Sequence, residues 1–139
     1  MKMDWRLIAA VAVGGALGSV ARYLIGALIQ DRLSTALPVG TLAINIGGSL
    51  LLGFLVRLGL ETSAFGPEMR FFLTTGFCGG FTTFSTFSYE TFRLFEDGEY
   101  RTAGLYVIAS VVLALLGCAI GMGVAGRLIS MGRTGLSAD

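Results

Sequence analysis

The chain has 139 residues, of which 54% are hydrophobic and 14% charged, with a net charge of +1. A soluble domain carries about 25% charged residues, so the shortfall, together with a mean hydropathy of +0.77, points to a protein built for a bilayer. The near-neutral charge gives no electrostatic case for nucleic acid, and the absence of histidine removes the commonest metal ligand and the commonest acid–base catalyst.

The first apolar run covers residues 7–29, long enough to cross a hydrocarbon core that takes about 20 residues. It follows Lys2 and Arg6, as a signal sequence would. Its length and the three similar runs after it favour a retained membrane helix, with a cleaved signal as the lesser reading. Gly14 and Gly18 are four apart, as are Gly15 and Ser19. Small residues at one-turn spacing let helix backbones approach closely, within one chain or between two copies. Arg22 lies near one end of this span. It either snorkels to the interface or holds a positive potential at a vestibule, with Glu90 as its possible partner.

After a polar loop ending at Pro38, the second span covers 39–58. Asn45 is the amide within it. A polar side chain at that depth usually faces the protein interior, either as an interhelical hydrogen-bonding group or as a donor lining a path. The loop over 61–70 contains Gly66-Pro67, and the third span follows over 71–94.

The third span contains the most informative stretch of the chain. Residues 76–88 read Gly-Phe-Cys-Gly-Gly-Phe-Thr-Thr-Phe-Ser-Thr-Phe-Ser, too polar and too glycine-rich for a lipid-facing helix. Such backbone is tolerated in a membrane only where protein or a water-filled cavity covers it. Gly79-Gly80, followed by Thr82-Thr83, predicts a helix broken in mid-membrane, whose freed carbonyls can bind a cation. Phe81, Phe84 and Phe87 are three apart and are expected along one helix side, Phe81 as packing. Phe84 and Phe87 alternate with Thr83, Ser85 and Thr86. The positive edges of their rings and the neighbouring hydroxyls can solvate an anion without a fixed positive charge.

Asp97-Gly98 predicts a turn, and the fourth span covers 102–129. Tyr106 and Ser110 share one face by their four-residue spacing, as interface anchors or as interhelical bonding groups. Gly117, Gly121 and Ala125 repeat the small-residue spacing. Cys78 and Cys118 both fall in apolar segments and read as small hydrophobes. The whole chain is a single all-α membrane domain of four transmembrane helices, with no soluble domain or internal repeat.

Lys2, Arg6, Arg57, Arg70, Arg127 and Arg133 fall on the side holding both termini, against Arg32, Arg93 and Arg101 on the other. This bias is weak, so cytoplasmic termini and insertion in both orientations both remain open. No paired carboxylates, no nucleophile with a base and no phosphate loop appear, which argues against an enzyme. Three functions are weighed: an anion path, a small proton-coupled exporter of organic cations, and a non-transporting assembly protein. The exporter needs a carboxylate deep in a span, whereas Glu90 lies near an end. The assembly protein has no use for Asn45 and the hydroxyl–phenylalanine ladder.

Three blocks of the sequence resemble the Fluc (CrcB) family of fluoride channels. They are residues 14–23, residues 40–49 including Asn45, and residues 75–88 with Glu90 after them. The resemblance implies an antiparallel dual-topology homodimer with two pathways for passive fluoride export, in the cell membrane of a prokaryote. It implies that Asn45, Phe84, Phe87, Thr83, Thr86 and Ser110 follow the fluoride route, with Tyr106 nearby. Arg22 and Glu90 would serve a vestibule or the assembly. It further implies a structural sodium ion at the dimer centre, held by the backbone carbonyls of Gly79 and Thr82, and no organic cofactor.

Overall fold

A computed structural model describes residues 4–33, 35–63 and 65–135, with side chains through 132. Lys2 lies outside the described residues, as does the Arg133 side chain. The regular elements among the described residues are all helices, without a strand.

Helix α1 spans Trp5–Gln30. Asp4 caps it by accepting a hydrogen bond from the Arg6 N–H at 3.0 Å, the usual use of a short acidic side chain at a helix start. Helix α2 spans Val39–Glu61 and returns beside α1, where the Gln30 side-chain oxygen accepts from the Gly40 N–H at 3.4 Å. Three short elements then follow in series: α3, Pro67–Phe71, a π-helical stretch, Phe72–Cys78, and one turn named α4, Gly79–Phe81. After a two-residue break, α5 covers Phe84–Glu96. Helix α6, Tyr100–Gly135, is 36 residues long.

Three helices, α1, α2 and α6, are long and apolar enough to cross a membrane. The predicted third span is a series of shorter helices over 67–96, as a broken span requires, and no single one of them has spanning length. The break does not lie at Gly79-Gly80 as expected. Gly79 is helical (φ −64°, ψ −38°), and the backbone extends at Thr82 and Thr83 instead. The π-helical stretch before it was not anticipated. Such segments are rare and recur at functional sites. The Asp97-Gly98 turn is as expected: Gly98 takes φ +78°, and the Glu99 N–H reaches the Leu94 carbonyl at 2.8 Å. Glycine accepts that left-handed conformation without a Cβ penalty.

The small residues serve contacts within the chain. α1 lies against the π-helical stretch and α4, and α2 lies along α6. A Cβ on Gly80 would sit 2.5 Å from the Gly15 carbonyl oxygen, and one on Gly76 would sit 3.0 Å from the Val11 carbonyl oxygen. Gly14 and Gly18 are pressed on the backbone of Phe72 and Phe77, while Gly53 and Gly121 meet the backbones of Cys118 and Leu50. Ala125 is buried as well. These positions therefore pack the monomer, where van der Waals contact replaces the hydrophobic drive that lipid removes.

Candidate functional site

The break at Thr82–Thr83 is held by Asn45. Its amide nitrogen donates to the Thr83 carbonyl at 3.0 Å, and its amide oxygen accepts from the Thr83 N–H at 2.8 Å. One side chain thus satisfies both polar groups of the most extended residue, as a neighbouring strand would. Thr83 in turn caps α5: its hydroxyl accepts from the Thr86 N–H at 3.2 Å and donates to the Thr86 hydroxyl at 3.0 Å. Ser85 Oγ lies 3.3 Å from the same Thr83 hydroxyl.

These bonds change what the preceding helix can offer. In an unbroken α-helix the Thr83 N–H would bond to Gly79 and the Thr86 N–H to Thr82. Both donors are diverted, to Asn45 and to the Thr83 side chain. The Gly79 and Thr82 carbonyls therefore lose their usual helical donors, which is the donor chemistry a hard cation takes.

Beside the break lies a groove of about 320 Å³. Asn45, Thr83, Phe84, Phe87 and Ser110, five of the seven residues expected along the fluoride path, line it. No charged side chain is among its described lining residues. The Phe84 and Phe87 rings are 5.5 Å apart and tilted by 47°. Phe84 is 78% exposed and Phe87 only 9%, so the two rings have different surroundings. The Ser110 hydroxyl is buried without a hydrogen-bond partner, an arrangement that costs free energy unless something fills it.

Thr83 also lines a second groove of about 310 Å³, with Thr86, Arg22, Ser19 and Thr41. Arg22 does not pair with Glu90. Its guanidinium donates to the Ser19 hydroxyl at 3.5 Å, which in turn reaches the Gly80 carbonyl at 3.4 Å. Glu90 instead accepts from Thr41 at 2.8 Å and from Tyr106 at 2.7 Å. The physical reason is reach: Glu90 lies between α2 and α6, while Arg22 is on α1 beside α4.

Tyr106 is fully buried, with its ring 5.3 Å from that of Phe87. It underlies the groove and does not line it. Phe81 is separated from Phe84 and Phe87 by the break, so the three do not share one helix side. Phe81 stacks on Phe77 at 5.9 Å, which agrees with its reading as packing. Thr41 and Ser49 were not singled out from the sequence. The available signal was their spacing: Thr41, Asn45 and Ser49 recur every four residues and so share one face of α2.

Residues 9–122 match the family described as CrcB-like protein, Camphor Resistance (CrcB). The chain belongs to the CrcB family. Among relatives of this CrcB protein, one from Geobacter sulfurreducens is 50% identical over 121 residues, covering 87% of this chain and 98% of the relative. It is named a fluoride-specific ion channel, FluC. A protein from Nitrobacter hamburgensis, named fluoride-specific ion channel FluC 1, is 52% identical over 113 residues, covering 81% and 90%. A third, a FluC channel of Geobacter metallireducens, is 49% identical over 108 residues, covering 78% and 87%.

Proposed function

We propose that this CrcB protein is a fluoride-selective channel that lets fluoride leave the cell passively, and that it works as an antiparallel homodimer with two pathways. The observation that carries the reading is the uncharged groove in which Asn45, Thr83, Phe84, Phe87 and Ser110 converge. The names of the relatives point the same way.

Fluoride is small and strongly hydrated, so a narrow pore must replace its water with close donors. Hydroxyl protons and aromatic ring edges do this without a fixed charge. A lysine or arginine in mid-path would bind too tightly for the ion to leave, and conduction requires release as well as entry. Arg22, set apart in the second groove, raises the local anion concentration at a vestibule without trapping the ion. Thr83 and Thr86 pass the ion from that groove towards the phenylalanines, and Ser110 takes it beyond them.

The dimer is supported by the family resemblance and by the faces a single copy leaves bare, the Phe84 ring among them. Two copies meeting at their breaks would hold a structural sodium ion through the Gly79 and Thr82 carbonyls of each. The sodium would supply fixed positive charge between the pathways. The carbonyls fit that role because Asn45 and the Thr83 hydroxyl have taken their helical donors.

The test is efflux of fluoride from liposomes loaded with potassium fluoride, read with a fluoride electrode and compared with chloride. Fluoride flux with little chloride flux is expected. Well-folded protein that passes neither ion, or both equally, overturns the reading.

A further inference from the structure

Thr41, Asn45 and Ser49 form one polar stripe on α2, each four residues from the next. The first two are engaged: Thr41 donates to Glu90, and Asn45 closes on the Thr83 backbone. Ser49 differs. It lines the same groove as Phe84, Phe87 and Ser110, and its hydroxyl has no hydrogen-bond partner among the described residues. A serine inside a helix commonly bonds back to the carbonyl four residues earlier. Here the Ser49 hydroxyl remains available to the groove.

Ser110 on α6 lines the same groove, and its hydroxyl is also unpartnered and is buried. α2 and α6 run in the same direction, since Gly53 meets Cys118 and Gly126 lies beside Arg57 further along. The stripe 41–45–49 therefore runs alongside 106–110–114. At one end Thr41 and Tyr106 converge on Glu90. Past the break, Ser49 and Ser110 face a space with apolar walls at Val111, Ala114 and Leu115. Asn45, Thr82 and Thr83, which also line the groove, have hydrogen-bond partners within the chain, so the two unpartnered hydroxyls are the ones that can donate to a small hydrogen-bond acceptor there.

We propose that the Ser49 hydroxyl is a further fluoride contact, a helical turn or more beyond Ser110 along the same groove. This rests on the channel reading above and extends it by one residue and one subsite. The ion leaving the ring edges exchanges them for two hydroxyl donors before it meets water, so its dehydration is undone in steps.

The decisive comparison is Ser49→Thr against Ser49→Val, two side chains of nearly equal shape that differ in the hydroxyl. Both are purified and reconstituted, and their folding is checked by gel filtration and thermal unfolding. Fluoride efflux in Ser49→Thr should stay within about twofold of wild type, whereas Ser49→Val should fall about tenfold or more, the scale of one hydrogen bond to a charged group. Ser49→Ala supplies the same loss with a smaller side chain and so serves if valine disturbs packing. Equal flux from the threonine and valine variants, with wild type active, overturns the Ser49 assignment alone. A wild-type protein without fluoride flux overturns the channel reading itself.

Discussion

Replacing Asn45 with alanine removes both hydrogen bonds that hold Thr83 extended, at 3.0 and 2.8 Å. A typical intramolecular hydrogen bond contributes about 0.5–1.5 kcal/mol net, and side-chain bonds measured in a membrane protein average about 0.6 kcal/mol. Two bonds therefore give a loss of roughly 1–3 kcal/mol. Thr83 is buried, so its freed N–H and carbonyl find little water, which places the loss toward the upper part of that range. The freed N–H has one near alternative, the Gly79 carbonyl, and taking it would close the break. Asn45→Ala should thus lower stability by about 2 kcal/mol and reduce fluoride efflux more than tenfold, because the groove loses its shape along with one donor. Asn45→Asp is the sharper probe. The aspartate keeps an acceptor for the Thr83 N–H, loses the donor to the Thr83 carbonyl, and places an acidic group in the uncharged groove proposed to carry the anion. It should be more stable than the alanine variant and conduct no better. Equilibrium unfolding in detergent and liposome efflux, run on both variants, check this. Wild-type stability in Asn45→Ala would refute the clamp, and a flux loss without any stability change would assign Asn45 to the ion alone.

Other outcomes follow from the same geometry. Phe84→Ile and Phe87→Ile should each cut fluoride efflux while gel filtration shows an unchanged assembly. Phe87→Ile should also lower the melting temperature, because its ring is buried against Tyr106, whereas the exposed Phe84 should cost little. Tyr106→Phe removes a 2.7 Å hydrogen bond to the Glu90 carboxyl and should destabilise the protein by about 1.5–3 kcal/mol, measured by denaturant unfolding. Gly80→Ala drives a methyl to within 2.5 Å of the Gly15 carbonyl oxygen and should cost about 1–3 kcal/mol as overpacking. Gly123→Ala meets nothing within 4 Å and should be neutral or stabilising by up to about 1 kcal/mol through helix propensity. Equal melting temperatures for these two glycine variants would count against the helix contacts described above.

Much of this was legible in the sequence, for identifiable reasons. Apolar runs of spanning length are set by bilayer thickness, so α1, α2 and α6 could be read within a few residues at most ends. The break was legible as a polar, glycine-rich interruption, but its position was misjudged by three residues. Glycine weakens a helix, yet it need not leave one; Thr83 is extended because a side chain 38 residues away bonds its N–H and its carbonyl. The π-helical stretch was hidden because Phe-Leu-Thr-Thr-Gly-Phe-Cys carries no period that separates it from an α-helix. The Arg22–Glu90 pair failed because opposite charges in a bilayer suggest each other, while two hydroxyls, on Thr41 and Tyr106, satisfied the acid first. Ser49 falls within the 40–49 block but takes no role from the sequence, because a serine in an apolar run usually bonds to its own helix.

The length of α6 has a practical consequence. Thirty-six residues at about 1.5 Å each reach roughly 54 Å, against a hydrocarbon core of about 30 Å. An untilted α6 therefore emerges from the membrane, and its exposed position Ser130 becomes a handle in the aqueous phase. A cysteine placed there, with Cys78 shielded at 1% exposure and the half-buried Cys118 replaced by alanine, would report sidedness to a maleimide too polar to enter vesicles. Cells that insert the chain in one direction would label fully or not at all, while a population split between the two directions would label by half.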